Sequence, residues 1–187
     1  LLLFFVITMG YNAFFRNTVK MNRSLTWVFT FSVITLVLYL GSLLGFMLQT
    51  VYAISVLGCL LSLYYLWAVW KKKYRFGRLD YIALGMMAYL LLFGITLWHS
   101  PLLHYDNFTH WATIVKFFHI NNALPTQQDT IISYYTYPVG SSLFIYFFTT
   151  IVGFSEGSML VGQFFLIASS LYAMFAALRD NRRVLMV

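Results

Sequence analysis

Residues 25–70 read LTWVFTFSVITLVLYLGSLLGFMLQTVYAISVLGCLLSLYYLWAVW and contain no Asp, Glu, Lys, Arg or His. A membrane-spanning helix needs about 20 predominantly apolar residues, so this stretch is long enough to cross a bilayer twice. The polar pair Gln49 and Thr50 near its middle predicts the turn between two spanning helices. The stretch therefore predicts a helical hairpin within a membrane.

The rest of the chain repeats this pattern. Apolar runs also cover residues 1–15, 81–98 and 159–178, and a shorter run covers 139–154. We interpret the first run as the tail of a spanning helix, because neither a basic segment nor a small-residue cleavage site marks it as a signal peptide. The sequence predicts an all-α, polytopic membrane protein with about five spanning helices and two juxtamembrane helices outside.

The composition excludes a soluble globular domain. Of the 187 residues, 61% are hydrophobic and only 9% are charged, whereas about a quarter of the residues of a soluble domain are charged. Disordered chains are poor in apolar residues, so disorder is excluded as well. A single cysteine, Cys59, rules out a disulfide framework and a thiolate metal cluster.

The basic residues indicate the orientation of the chain. Apart from Lys116, every Lys and Arg lies in one of three short connecting segments, within 16–23, 71–78 and 179–183. The positive-inside rule places these segments in the cytoplasm and the segment 99–138 outside. The net charge of +7 is therefore a signal of membrane topology, and we predict no nucleic-acid partner.

The run 139–154 is too short for a full crossing, since about 15 residues of helix span only about 22 Å of a hydrocarbon core about 30 Å thick. Pro138 opens the run and Gly153 closes it. We predict a juxtamembrane helix on the outer face, followed by an inward span over 159–178. Two full crossings, with the basic tail outside, remain the alternative.

The outer segment 99–138 holds all four histidines, together with Asp106 and Asp129. Within it, residues 106–118 have the periodicity of an amphipathic helix that lies in the membrane interface. The predicted apolar stripe consists of Phe108, Trp111, Ala112, Val115 and Phe118.

Asp106 directly precedes this periodic run, which suggests either a helix N-cap or a functional carboxylate beside the membrane. His104, Asp106 and His110 are also candidate metal ligands, although the zinc-protease pattern of two histidines and a glutamate is missing. An interfacial histidine that only forms hydrogen bonds is the competing interpretation. The sequence leaves these alternatives open.

Several other residues of the segment have two interpretations. Tyr134, Tyr135 and Tyr137 suit the aromatic belt of a membrane interface, but tyrosines also line sugar sites. We expect Tyr137, next to Pro138, to be the pocket residue. Lys116 suits either a phosphate contact or snorkelling towards lipid headgroups.

Residues 81–183 resemble the front part of the membrane-embedded GT-C glycosyltransferases, such as protein O-mannosyltransferases and aminoarabinose transferases. The resemblance lies in the acidic motif at Asp106-Asn107, in residues 137–140 (YPVG) and 152–156 (VGFSE), and in the basic end at 179–183 (RDNRR). Asn107 stands where that family has a second acid. Residues 106–111 (DNFTHW) also look like a segment of uncharacterised multi-spanning proteins of Gram-positive bacteria.

The resemblance implies sugar transfer from a polyprenyl-phosphate donor, a lipid partner, at the outer face of a bacterial plasma membrane. Asp106 would be the catalytic base, and the substrate-binding residues would be Asn107, His110, Lys116 and Tyr137. A divalent metal is one alternative for a cofactor, and no protein metal ligands are assigned.

The predicted organisation is residues 1–80, with N-terminal spans and basic loops, followed by 81–187 as the GT-C-like portion. A transporter or permease fragment is an alternative function, although the spans carry no charged residue at their centres, where an ion pathway normally needs one. A non-catalytic module that contacts membrane lipids or a partner protein is the other alternative.

Overall fold

A computed structural model describes residues 1–71, 73, 81–132 and 135–180. Within this part of the chain the regular elements are all helical, which confirms the predicted fold class. The helices are α1 (Leu2–Asn17), α2 (Thr26–Leu43), α3 (Met47–Trp70), α4 (Tyr81–Trp98), a π-helical turn (Asn107–Trp111), α5 (Ala112–Asn121), α6 (Gly140–Val152) and α7 (Glu156–Asp180).

Four of the described helices are long and apolar enough to cross a membrane, namely α2, α3, α4 and the part of α7 up to Ala176. This finding supports a multi-pass membrane protein. The fifth expected span, α1, has 16 residues, which at 1.5 Å per residue gives about 24 Å.

The turn between α2 and α3 lies at 44–46, so the prediction of a turn at Gln49 and Thr50 is wrong. Gly45 has φ +79, a left-handed conformation that glycine adopts without steric cost. Thr50 instead lies inside α3, where its hydroxyl donates to the carbonyl of Phe46 at 2.7 Å. A polar residue that satisfies its hydroxyl within the helix does not interrupt it.

An aromatic core joins both halves of the chain. On α6, Phe144, Phe147 and Phe148 are fully buried, and the Phe148 ring lies 4.8 Å from that of Phe4 on α1. Helices α1, α2, α5 and α7 all pack against α6. The expected helix at 139–154 is therefore enclosed by protein, while its depth in the membrane stays a prediction.

Helices α1 and α3 approach each other closely through small residues. A β-carbon added at Gly10 would lie 2.1 Å from the carbonyl oxygen of Gly58. Beside this contact, Ser62 Oγ donates to the carbonyl of Val6 at 2.5 Å, and the Tyr11 hydroxyl donates to that of Ile54 at 2.8 Å. The two helices thus share polar as well as van der Waals contacts, as is common between spanning helices.

The helix termini next to the described basic residues lie at one end of the bundle. The Thr18 hydroxyl, after α1, hydrogen-bonds the Tyr65 hydroxyl near the end of α3. Arg16 interacts electrostatically with Arg23, before α2, and with Tyr172 in the last third of α7. We call this end, which carries Arg16, Lys20, Arg23, Lys71 and Lys73, the basic end.

The start of α4 and the end of α7 also lie at the basic end. Ala83, near the start of α4, forms a buried cluster with Tyr172 and Ala176 of α7, so the end of α7 lies at the basic end. The predicted basic residues at 72, 75, 78, 182 and 183 lie outside the described residues.

Residues 99–155, which include the outer segment, leave and rejoin the bundle at the opposite end. A β-carbon at Gly157, in the first turn of α7, would lie 2.0 Å from the carbonyl oxygen of Trp98, the last residue of α4. Close by, the Glu156 carboxylate accepts the Leu102 amide at 2.8 Å. The first and last residues of 99–155 therefore both lie on the side of the bundle opposite the basic end.

Candidate functional site

Asp106 presents an exposed carboxylate within the outer segment. Its backbone amide donates to Nδ1 of His104 at 3.3 Å, so that nitrogen acts as an acceptor. The Asp106 carboxylate lies 3.5 Å from the same nitrogen, which is a close approach and not a second hydrogen bond. Asp106 occupies the N-cap position of the helical turn that begins at Asn107, as predicted, but its carboxylate makes no side-chain capping bond.

The first turn of the predicted amphipathic helix is π-helical, over Asn107–Trp111. The Thr113 hydroxyl donates to the carbonyl of Phe108, five residues earlier, at 2.6 Å. The wider turn changes the register, so Phe108 is 58% exposed while His110 is 5% exposed. The predicted stripe is therefore wrong at its start and holds from Val115 onwards.

His110 and Tyr137, two predicted site residues, are in direct contact. Their rings meet edge to face, with 4.6 Å between the ring centroids. The His110 ring also lies 4.6 Å from the ring of Trp111. Burial lowers the pKa of His110, and the neighbouring Asp106 opposes this shift. Burial thus favours the neutral form of His110, whose ring packs against Tyr137.

Asn107 lines a narrow cleft between the outer segment, α6 and α7. Its polar and aromatic lining comprises Asn107, Trp111, Ser141, Ser142 and Gln163, and we name it the polar cleft after this group. The rest of the lining is apolar and comprises Leu102, Ala112, Val115, Ile145, Met159 and Leu160. Its volume is about 20 Å³, which is enough for one water-sized group. A sugar ring does not fit inside it.

Lys116 lies on the exposed side of α5. Within the described ranges the one ion-pair contact joins His104 and Asp106, so the Lys116 side chain forms no salt bridge there. The structure thus brings His110 into contact with Tyr137 and places Asp106 near enough to His110 to interact with it electrostatically.

The metal alternative gains no support from the geometry. In the part of the chain that the structure describes, no group of three His, Cys, Asp or Glu side chains is arranged to hold a metal ion. His104 and Asp106 are neighbours, but His110 turns its ring towards Trp111 and Tyr137.

Of the three tyrosines predicted for the membrane interface, Tyr134 lies outside the described residues.

A partly buried polar contact between α5 and α6 was not anticipated from the sequence. His119 Nε2 lies 2.8 Å from Thr149 Oγ1, and that hydroxyl donates its own proton to the carbonyl of Ile145. Nε2 therefore carries the proton that bridges the two helices. Burial lowers the pKa of His119, whose ring also meets Phe154 at 4.7 Å.

Glu156 was predicted only as part of a motif, and its contact with Leu102 was missed. The start of α7 is fixed further by a reciprocal pair, in which the Ser155 amide donates to Ser158 Oγ and the Ser158 amide donates to Ser155 Oγ. The Ser-x-x-Ser spacing just before an apolar run is a signal of this kind of capping.

No family model matches this chain, and no curated protein or solved structure is significantly similar to it. The fold and composition define the class as a multi-pass α-helical membrane protein. The resemblance to GT-C glycosyltransferases remains a prediction that rests on the short motifs of the sequence.

Proposed function

We propose that this chain is a glycosyltransferase, or part of one, that moves a sugar from a polyprenyl-phosphate donor to an acceptor at the outer face of a bacterial plasma membrane. The observation that carries the proposal is the exposed Asp106 carboxylate in a segment that meets the bundle opposite its basic end. If the basic end faces the cytoplasm, as the positive-inside rule requires, Asp106 faces outside. A lipid-linked donor presents its sugar phosphate at that level.

In the proposed reaction Asp106 takes the proton of an acceptor hydroxyl as the hydroxyl oxygen bonds to the anomeric carbon. The bond from that carbon to the phosphate oxygen breaks, and polyprenyl phosphate leaves with the electron pair. Such base catalysis contributes about 10²–10⁴-fold to the rate. The accessible Lys116 cation is the better candidate to offset charge on the leaving phosphate, since burial favours neutral His110.

Asn107 and Tyr137 are the proposed contacts to the sugar or the acceptor. Asn107 follows Asp106 and faces the polar cleft, where its amide can both donate and accept hydrogen bonds. Tyr137 is 47% exposed, and a tyrosine side chain accessible in this way suits contact with a sugar.

The test is transfer of radiolabelled sugar from polyprenyl phosphate by membranes of cells that express the full-length gene. We expect Asp106→Asn to lower the rate by about 10²-fold or more. Asp129→Asn is the matched control, because the Asp129 carboxylate only closes a local turn by accepting from Thr126. Equal rates for the parent and Asp106→Asn would remove Asp106 from the mechanism.

A non-catalytic membrane module is the second candidate, and α4 is the observation that favours it. Of its described side chains only Ala83 is buried, and Leu91 and Leu92 are 65% and 66% exposed. A spanning helix with so little protein contact has its surface covered by lipid or by a partner helix. Absence of any transfer, with a stable partner on α4, would favour this function.

A further inference from the structure

We infer that the polar cleft binds one hydroxyl group of an uncharged sugar. The cleft, defined above by Asn107, Trp111, Ser141, Ser142 and Gln163, lies where the outer segment, α6 and α7 meet. The inference deepens the proposed function and rests on it for the nature of the ligand as a lipid-linked sugar.

The hydroxyl of Ser142 is the first observation. Ser142 is 1% exposed, and within the described residues its Oγ has no hydrogen-bond partner. Other helical serines of the chain satisfy this group on their own helix, as Ser42 and Ser55 do by donating to carbonyls four residues earlier. Because a buried hydroxyl without a partner is costly, a polar group bound in the cleft would stabilise Ser142 by hydrogen-bonding to it.

The chemistry of the lining defines the class of that group. Asn107 and Gln163 contribute amides, Ser141 and Ser142 contribute hydroxyls, and Trp111 contributes an aromatic surface. The other lining residues are apolar, and no charged side chain lines the cleft. Amides and hydroxyls both donate and accept, which matches a sugar hydroxyl. An anionic group such as a phosphate would lack a cationic partner here.

The size of the cleft restricts how the sugar is held. About 20 Å³ accommodates one hydroxyl group, so the ring itself stays outside. The cleft therefore acts as an anchor for one substituent of the ring.

Gln163 indicates the direction of access. It is an exposed residue of α7, seven positions after Glu156 and so about 10 Å along the candidate span. A polar group exposed at that depth is unfavourable unless it has a partner. A ligand that carries a lipid tail reaches this position from the membrane side.

Binding is tested with the full-length protein in nanodiscs of zwitterionic lipid. The probes are tritiated octyl glucoside, octyl galactoside and octyl mannoside, used below micellar concentration. Octyl tetrahydropyranyl ether, which has the ring but no hydroxyls, is the matched control ligand. We expect saturable binding of at least one glycoside and none of the ether.

Ser142→Ala and Gln163→Leu should each weaken glycoside binding about three- to tenfold, the effect of losing one neutral hydrogen bond. Ser170→Ala should leave it unchanged, because Ser170 is exposed and its hydroxyl donates within its own helix. Equal binding of glycosides and ether, or unchanged binding by both cleft variants, would overturn the inference and leave a cleft that holds water only.

The transfer assay separates this inference from the proposed function. Glycoside binding that depends on Ser142 and Gln163, without any sugar transfer, would support the binding site and reject the transferase. Transfer that depends on Asp106, with normal binding by both cleft variants, would support the transferase and reject this inference.

Discussion

Gly157, in the first turn of α7, packs directly against the carbonyl group of Trp98, the last residue of α4. A β-carbon at Gly157 would lie 2.0 Å from the Trp98 oxygen, so no larger residue fits without movement of the backbone. This contact closes residues 99–155 into a segment that starts and finishes at one end of the bundle. The contact places the start of α7 directly beside the end of α4.

Gly157→Ala should destabilise the protein by about 1–3 kcal/mol, the usual cost of overpacking. The midpoint of thermal unfolding of the purified protein in detergent checks this prediction. Gly94→Ala is the control, because a β-carbon at Gly94 has no atom within 4 Å and alanine favours the helix. A Gly157→Ala midpoint equal to that of the parent would contradict the packing of α4 on α7.

Gly58→Ala should loosen the contact between α1 and α3. A β-carbon there would lie 2.6 Å from a side-chain carbon of Ile7 and 2.8 Å from its carbonyl oxygen. We expect a loss of about 1–3 kcal/mol, again measured by thermal unfolding. Gly85→Ala, another open position on α4, should be neutral, and an equal loss in both variants would contradict the α1–α3 packing.

The stability of the protein should fall on acidification from pH 7.5 to pH 5. Burial lowers the pKa of both His110 and His119 below the ordinary value of 6.5, so the unfolded chain binds protons more readily than the folded chain. Their contribution to stability is complete above pH 6.5 and is lost as the pH falls towards the folded pKa values. Thermal midpoints measured across this range test the prediction.

His119→Gln should reduce this pH dependence, because glutamine keeps an N–H donor for Thr149 but does not take up a proton. His99→Gln is the control, since His99 is exposed at the end of α4 and its ring nitrogen contacts only the carbonyl of Ile95 among the described residues. A pH profile that is identical in the parent and in His119→Gln would show that His119 contributes nothing to it.

Glu156→Ala should release the chain that leads from α4 to Asp106. The variant loses the bond from the Leu102 amide to the carboxylate, with an expected cost of about 0.5–1.5 kcal/mol. Limited proteolysis near residue 102 should become faster. Glu156→Gln retains an acceptor oxygen and should resist cleavage like the parent, and equal cleavage of the alanine variant would contradict the role of Glu156.

Hydropathy predicted the helices well because the requirement for about 20 apolar residues is strong and local. The short helix predicted over 139–154 ends at Gly153, whose φ of +109 suits the glycine that the sequence marks there. The turn between α2 and α3 was misplaced because polarity was given more weight than Gly45. Helix α7 begins at Glu156, earlier than the predicted 159, because Ser155 and Ser158 cap it.

The candidate site could be predicted only in part. The acidic and aromatic residues of the outer segment were identified, and the contact of His110 with Tyr137 joins two of them. The π-helical turn at 107–111 escaped prediction because a period of 3.6 residues assumes regular α-helix. Ser142 and Gln163 escaped because a cleft between three elements depends on tertiary packing, which periodicity does not encode.

The most direct test of the account is cysteine labelling in intact cells, in a Cys59→Ala background, with a membrane-impermeant maleimide. Val19 and Leu103 are 51% and 84% exposed, at the basic end and in the outer segment respectively, and position 181 follows α7. We predict that Leu103→Cys is labelled in intact cells, whereas Val19→Cys and Asn181→Cys are labelled only after permeabilisation. Labelling of Val19→Cys or Asn181→Cys in intact cells, or protection of Leu103→Cys, would contradict an Asp106 that faces outside.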